Sequence, residues 1–126
     1  MKKGVYAISD PCYLFNKMSQ DAWCALLKST NYFDGVCTID GYEVFGGGTA
    51  YGDGSYQDQD GREYPVDAGL LACVPMALAR KYGNKKADIL SFGNVVKFDK
   101  DFECDVVGNG EFHFGHIIIK TGGEDE

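Results

Sequence analysis

The stretch from Gly35 to Gly48 reads GVCTIDGYEVFGGG, and its residue pattern decides the fold class. Two runs rich in β-branched and aromatic residues flank the dipeptide Asp40-Gly41. Asp-Gly between such runs is a strong signal for a hairpin with a two-residue type I′ turn. The glycines at 46–48 predict a bend or bulge, after which the strand is expected to resume at 49–51.

The overall composition also favours a β-rich domain. The chain of 126 residues contains 17 Gly, eight Tyr and eight Phe, and 44% of its residues are hydrophobic. Many glycines beside many aromatic residues are typical of a turn-rich β protein. A chain of this length suits one domain that buries a core without cross-links. We expect a single globular domain over 1–120 and a disordered acidic tail over 121–126.

Two helices are predicted from capping and spacing. Ser19 can cap a helix over 20–29, whose apolar residues recur at helical spacing. Pro75 suits the first position of a second, shorter helix near 75–82, and Gly83 would stop it.

The other apolar runs predict short strands. They cover 4–8, a continuation at 12–15 beyond a corner at Pro11, 62–66, a buried strand at 70–74, and the runs 89–92, 95–98, 102–107 and 111–120. The segment 52–61 is expected to be a loop. Together, these strands and helices predict an α+β fold in which a strongly bent, mostly antiparallel sheet closes toward a small barrel or sandwich.

Charge and cysteine usage limit the classes of partner and compartment. The formal net charge of −7 disfavours binding to the phosphate backbone of nucleic acids. The opening MKKGVYAISD has no long apolar stretch, which predicts no signal peptide, and no run is long enough to predict a membrane span. Five cysteines without a CxxC spacing indicate reduced thiols, so we expect a cytoplasmic protein.

The segment 49–69, TAYGDGSYQDQDGREYPVDAG, concentrates glycine, aspartate and tyrosine. Its residues Tyr51, Tyr56 and Tyr64 would offer rigid contact area to a partner. The part at 58–63 resembles a fragment of a calcium loop, but that template lacks its first acid and its bidentate glutamate here. Turn chemistry explains the aspartates better, and we predict neither a metal nor a cofactor.

Three aspartates mark possible binding positions. Asp10 precedes a proline corner, and Asp53 stands between two glycines that let the backbone approach a ligand closely. Asp67 enters an apolar run, where it must cap a turn, order a loop or face a pocket. With the neighbouring tyrosines they form the candidate ligand-binding or partner-binding set: Asp10, Tyr13, Tyr51, Asp53, Tyr56 and Asp67.

A catalytic alternative centres on Cys12. The residue follows a fixed corner, where a nucleophile could be presented. Its base would be His116 or His113, and Asp10 (or one of the other two aspartates) would orient that base. In one regular strand the two histidines point to opposite faces, unless Gly115 bulges the strand. The competing interpretation is that Cys12 is a buried structural residue.

The motifs DPCY at 10–13, GDGSY at 52–56 and VDAG at 66–69 occur in an order that resembles a group of small uncharacterised bacteriophage and bacterial proteins. The resemblance covers roughly the first two thirds of the chain. No activity is established for the group, so it implies no catalytic residues. It implies a phage or prophage origin, and small phage proteins of this kind often antagonise host defence by binding a protein or sequestering a nucleotide signal.

The favoured hypothesis is therefore a non-catalytic binding protein that acts on a host protein or a small nucleotide-like ligand. Two alternatives stay open. One is a small cysteine-dependent hydrolase or transferase, and the other is a structural or assembly protein of a phage whose edge strands mediate oligomers.

Overall fold

A computed structural model describes residues 1–122, which form ten strands and four helices. The strands are β1 (Gly4–Ser9), β2 (Gly35–Ile39), β3 (Tyr42–Gly48), β4 (Gly54–Gln57), β5 (Glu63–Val66), β6 (Leu70–Pro75), β7 (Gly93–Phe98), β8 (Cys104–Val107), β9 (Glu111–Phe114) and β10 (Ile117–Lys120). The helices are α1 (Pro11–Leu14), α2 (Gln20–Ser29), α3 (Met76–Lys81) and α4 (Lys86–Leu90). The predicted α+β class with mostly antiparallel strands is confirmed.

The strands form three separate antiparallel sheets. The central sheet has the order β2-β3-β6-β1-β7, the three-stranded sheet has the order β10-β9-β8, and β4 and β5 form a hairpin. No closed barrel occurs among residues 1–122. The central and three-stranded sheets instead face each other across a shared core, as in a sandwich.

Two cores lie on opposite faces of the central sheet. The sheet-side core lies between the central sheet, the β4–β5 hairpin and the three-stranded sheet, and the helix-side core lies between the central sheet and the helices. Alternate side chains of β1 pack into the two cores: Tyr6 and Ile8 enter the sheet-side core, and Ala7 enters the helix-side core. Burial on both faces explains why β1 and β6 are nearly continuous apolar runs.

The hairpin between β2 and β3 confirms the Asp-Gly prediction. Asp40 has φ 52° and Gly41 has φ 85°, so both central residues are left-handed, as a type I′ turn requires. The resulting register pairs Ile39 with Tyr42 across the turn.

The glycines at 46–48 do not bend the chain, because they continue β3 in register with β6. Glycine is better explained here by neighbouring atoms that lie close to the main chain of β3. A Cβ on Gly46 would lie 2.8 Å from the Phe33 carbonyl oxygen and 3.0 Å from the Leu71 carbonyl oxygen. On Gly47 it would touch the Phe112 ring at an ordinary 3.4 Å. The chain then leaves the sheet, so the strand predicted at 49–51 is wrong.

Helices α2 and α3 match the two predicted ones. The Ser19 hydroxyl accepts a hydrogen bond from the Ala22 N–H at 3.1 Å, which makes it the N-cap of α2. Met76 begins α3 directly after Pro75. None of the helices within residues 1–122 combines the length and the apolarity needed to cross a membrane.

Helices α1 and α4 correct the prediction of strands at 12–15 and 89–92. The Asp10 side chain caps α1 and Pro11 occupies its first position, so the pair begins a helix instead of turning a strand. In α4, the Asp88 carboxylate accepts a hydrogen bond from the Lys85 N–H at 2.9 Å. Both helices are too short for apolar periodicity to reveal them.

Two strand boundaries also differ from the prediction. The expected loop at 52–61 contains β4, which pairs with β5. The expected strand at 111–120 is two strands, because Gly115 takes a left-handed φ of 59° and reverses the chain together with His116.

Left-handed backbone also follows α2. Asn31, Tyr32 and Phe33 have φ of 54°, 58° and 55°, a conformation that non-glycine residues rarely adopt in succession. The run turns the chain and inserts Phe33 into the helix-side core. The side chain of Tyr32 stays exposed.

The end of the described chain packs against the body. Thr121 is fully buried; its hydroxyl donates a hydrogen bond to the Gly110 carbonyl at 2.6 Å and accepts one from the Ala50 N–H at 3.0 Å. Of the tail expected at 121–126, residues 123–126 lie outside the described residues.

Gly46→Ala is expected to lower the free energy of unfolding by about 2–3 kcal/mol, since the new methyl group meets two fixed carbonyl oxygens. Gly47→Ala, the matched control, should change it by less than about 1 kcal/mol, because its methyl group meets only side chains at contact distance. Urea unfolding followed by circular dichroism measures both. Equal losses in the two variants would contradict the close-approach explanation.

Candidate functional site

The Asp10 carboxylate joins two of the predicted motifs. Its Oδ1 accepts a hydrogen bond from the Cys12 N–H at 2.9 Å. Its Oδ2 accepts from the N–H groups of Asp67 at 2.9 Å and Ala68 at 2.7 Å. The side chain is fully buried, so these three donors replace its hydration. Asp10 therefore acts as a helix cap and a loop anchor, and it does not face a pocket.

The other predicted acids and Tyr13 lie elsewhere. Asp67 meets Asp10 through its main chain and keeps its own side chain exposed. Asp53 is exposed in the turn before β4. The Tyr13 ring packs on Phe92, with ring centroids 5.3 Å apart. Asp10 and Asp67 thus meet through a loop contact, and Asp53 does not join them.

Cys12 has an environment that suppresses its reactivity. It borders a cleft of about 190 Å³ between α1 and the start of α2. Burial, followed by the charge of the adjacent Asp10 carboxylate, raises the pKa of the Cys12 thiol to about 12. Catalytic cysteines need the opposite shift, because the thiolate is the nucleophile.

The structure does not bring the histidines to Cys12. His113 pairs with Glu111 on β9, with Nε2 and Oε2 2.5 Å apart. His116 lies in the β9–β10 turn, where its ring meets the edge of the Phe98 ring. It borders a separate cleft of about 250 Å³. Within residues 1–122 the Cys12 sulfur has no hydrogen bond to either ring.

A larger cleft, of about 790 Å³, opens between β4 and β10 and is named here the β4–β10 cleft. Its lining residues are Tyr51, Ser55, Tyr56, Gln57, Asp58, Gln59, Glu63, Ile118, Lys120 and Thr121. They combine two tyrosine rings with amide, hydroxyl and charged groups, a mixture typical of binding sites. Of the six residues predicted to bind a ligand, Tyr51 and Tyr56 line this cleft.

The two tyrosines are held differently. Tyr56 is half-buried, and its hydroxyl donates to the Gly52 carbonyl at 2.9 Å, which fixes the ring against the turn. Tyr51 is 67% exposed. An exposed ring beside a cleft can add contact area to a partner at little cost in side-chain entropy.

The tip of the β4–β5 hairpin is organised by Asp58. Its buried carboxylate accepts hydrogen bonds from the N–H groups of Asp60 and Arg62 and from the Tyr64 hydroxyl at 2.7 Å. The Arg62 guanidinium lies 3.3 Å away. Burial and the Asp58 carboxylate raise the pKa of the Tyr64 hydroxyl far above its ordinary value. These bonds make one wall of the cleft rigid.

Gln59 attaches this tip to β10. Its side-chain oxygen accepts from the Ile118 N–H at 2.9 Å, and its side-chain nitrogen donates to the His116 carbonyl at 2.6 Å. One isolated bridge, Asp58 to Ile119, adds to the contact. The primary amide of Gln59 thereby pairs with the edge of β10 as a peptide group would.

Sequence reasoning missed Gln59, Ser55 and Lys120 as cleft residues. The aspartates near residue 58 predicted the turn at the hairpin tip. The acceptor role of Asp58 agrees with the tendency of Asp side chains to accept hydrogen bonds from nearby main-chain N–H groups. Gln59 contacts His116 and Ile118, which lie 57 and 59 positions later in the chain. No local sequence signal predicts a contact at that separation. The cleft depends on that contact.

Comparison of the chain with protein-family models, curated proteins and solved structures found no significant match. Across the described part of the chain, His, Cys, Asp and Glu side chains form no group of three or more that could hold a metal ion.

Asp10→Asn is expected to lower the free energy of unfolding by about 2–4 kcal/mol, because the new NH₂ group faces main-chain donors. Amide hydrogen exchange at Asp67 and Ala68 should accelerate with it. Asp67→Asn makes the same chemical change on an exposed side chain and should cost less than about 0.5 kcal/mol. If both variants unfold at the same urea concentration as the parent, Asp10 is no anchor.

At pH 8, iodoacetamide should alkylate Cys12 about tenfold or more slowly than a free cysteine, because a raised pKa leaves little thiolate. Mass spectrometry of peptides at timed quenches measures the rate, and the exposed Cys24 serves as an internal reference. Alkylation of Cys12 ahead of Cys24 would restore the catalytic alternative.

Proposed function

We propose that this chain is a non-catalytic binding protein whose partner occupies the β4–β10 cleft. The observation that carries the proposal is the cleft itself, about 790 Å³ in volume and lined by Tyr51 and Tyr56. It is built on a hairpin that the buried Tyr64–Asp58 hydrogen bond and the Gln59–Ile118 hydrogen bond hold in place. A preformed cleft with the fixed Tyr56 ring in its wall favours binding, because little conformational entropy is lost on association.

Charge favours a protein partner over a nucleotide-like ligand. Glu63 lines the cleft, and Asp53 and Asp60 are exposed on the same segment. The Arg62 guanidinium is already within 3.3 Å of Asp58, which leaves Lys120 as the cation of the lining. An acidic surround opposes phosphate groups and attracts basic ones.

The origin and setting of this function stay predictions from the sequence. They are a phage or prophage origin, a host defence protein as the partner, and action in the host cytoplasm. The assembly alternative also remains a prediction, whereas no contact of Cys12 supports the hydrolase or transferase alternative.

Tyr51→Asn is expected to reduce the amount of the main protein captured from a bacterial lysate by about tenfold, since central tyrosines often dominate interface energy. Immobilised variants are compared at low and at physiological salt, with the captured proteins quantified by mass spectrometry. Tyr32→Asn is the matched control. Tyr32 is also an exposed tyrosine, lies away from the cleft, and has a left-handed φ that Asn tolerates.

Capture that is equal for the parent, Tyr51→Asn and Tyr32→Asn would overturn the assignment of the cleft. Capture that is lost only with Tyr32→Asn would move the binding surface to the segment after α2.

A further inference from the structure

The outer edge of β4 points its main chain into the cleft. The Asn94 side chain donates to the Glu63 carbonyl at 2.9 Å, so this carbonyl faces away from β4. Antiparallel ladders alternate between hydrogen-bonded and non-hydrogen-bonded pairs. The pairs Gln57–Glu63 and Ser55–Pro65 are therefore both of the non-hydrogen-bonded kind. Ser55 and Gln57 consequently turn their N–H and C=O groups toward β10.

Two further observations agree with this alternation. The Asp58 N–H donates to the Arg62 carbonyl at 3.0 Å, which makes the next pair along the hairpin a hydrogen-bonded one. Pro65, opposite Ser55, has no N–H to donate. The main-chain groups of Ser55 can therefore face the cleft without removing a hydrogen bond from the β4–β5 ladder.

The facing edge of β10 already holds an amide. Ile118 donates its N–H to Gln59, and His116 offers its carbonyl to the same side chain. Beyond the single bridge at Asp58 and Ile119, β4 pairs only with β5 and β10 only with β9 among the described strands. The two strand edges meet at this bridge, and the β4–β10 cleft opens between them on the Ser55 side.

We infer that the ligand of this cleft is an extended, basic peptide segment that adds as a strand along the outward edge of β4. This inference rests on the proposed function and names the chemistry of its partner. Main-chain groups of Ser55 and the N–H of Gln57 would bond the peptide, because the bridge to β10 already uses the Gln57 carbonyl. Strand addition of this kind is a common mode of peptide recognition. Residues 54–56 of β4, on the open side of the bridge, offer about 10 Å of edge, enough for about three peptide residues.

The basic character follows from the walls of the cleft. Arg or Lys side chains of an added strand would meet the carboxylate of Glu63 and the rings of Tyr51 and Tyr56. Both are favourable environments for a cation. The cation Lys120 also lines the cleft, but the exposed carboxylates of Glu63, Asp53 and Asp60 outnumber it, so acidic peptides would bind more weakly.

The probe is an N-acetylated, C-amidated heptapeptide of alternating Thr and Arg, titrated into the ¹⁵N-labelled protein. Amide resonances of residues 55–57 and 118–120 are expected to shift. The same peptide with Glu in place of Arg should bind about tenfold more weakly. Two analogues of this peptide are N-methylated, one on its odd residues and one on its even residues. Each keeps the side chains but loses the N–H groups along one of its two edges. The analogue methylated on the edge that faces β4 should bind about tenfold more weakly. Equal binding of both analogues and the parent peptide would overturn strand addition.

Ser55→Pro tests the edge from the protein side. It removes an N–H that faces the cleft and that the β4–β5 ladder does not use, so peptide binding should be lost while the spectrum of the folded domain persists. Ser55→Thr keeps the N–H and should bind as the parent does. If Ser55→Pro fails to fold, the N-methylated analogues still decide the question.

The two proposals fail in different ways. If no heptapeptide shifts the amide resonances of residues 55–57 while Tyr51→Asn still abolishes capture from lysate, the peptide inference is wrong and the binding function stands. If Tyr51→Asn leaves capture unchanged, the proposed function itself fails.

Discussion

The buried carboxylate of Asp10 accepts three main-chain hydrogen bonds, and the arrangement of the central layers depends on them. Asp10 follows β1, which lies between β6 and β7 in the central sheet. The carboxylate starts α1 on one side and holds the loop that leads into β6 on the other. A buried charge is tolerated only with such compensation, so the surrounding backbone has one arrangement that satisfies it.

This interaction also explains why two conspicuous motifs occur in one chain. DPCY contributes the acceptor, and VDAG contributes two of the three donors from 57 and 58 residues away. The DPCY and VDAG motifs are, in this molecule, a set of backbone requirements. Residues that look catalytic in the sequence, Asp10 and Cys12 above all, are explained by architecture.

The sequence predicted those elements whose signals are local. Asp40-Gly41 and the cap at Ser19 work within four residues, and both were found. The helix at 11–14 was missed because Pro11 suits a corner as well as a helix start, and only the acceptor role of Asp10 distinguishes them. The glycines at 46–48 were misread because their cause, the backbone of Phe33 and Leu71, lies in other segments. The contribution of Ile118 and Lys120 to the cleft was similarly invisible, since β10 reaches the hairpin only through tertiary contacts.

The candidate site shows how side-chain hydrogen bonds can build a rigid edge. Asp58 gathers the donors of the hairpin tip, and Gln59 fastens that tip to β10. Both use side chains to replace main-chain pairing at the point where two sheets meet. The cleft stays open beyond that point because none of the strands within residues 1–122 pairs with the remaining edge of β4.

Helix α2 has a different relation to the body of the protein. No residue of the helix is fully buried, and it is attached chiefly by Trp23, Leu26 and Leu27 leaning on the helix-side core. The Trp23 ring stacks on Phe33, the last residue of the left-handed run, at 6.1 Å. Segments with few buried apolar contacts detach at lower free energy than the global unfolding of the domain. Local opening would begin at this helix, on the face of the central sheet opposite the cleft, and would leave the sandwiched strands assembled.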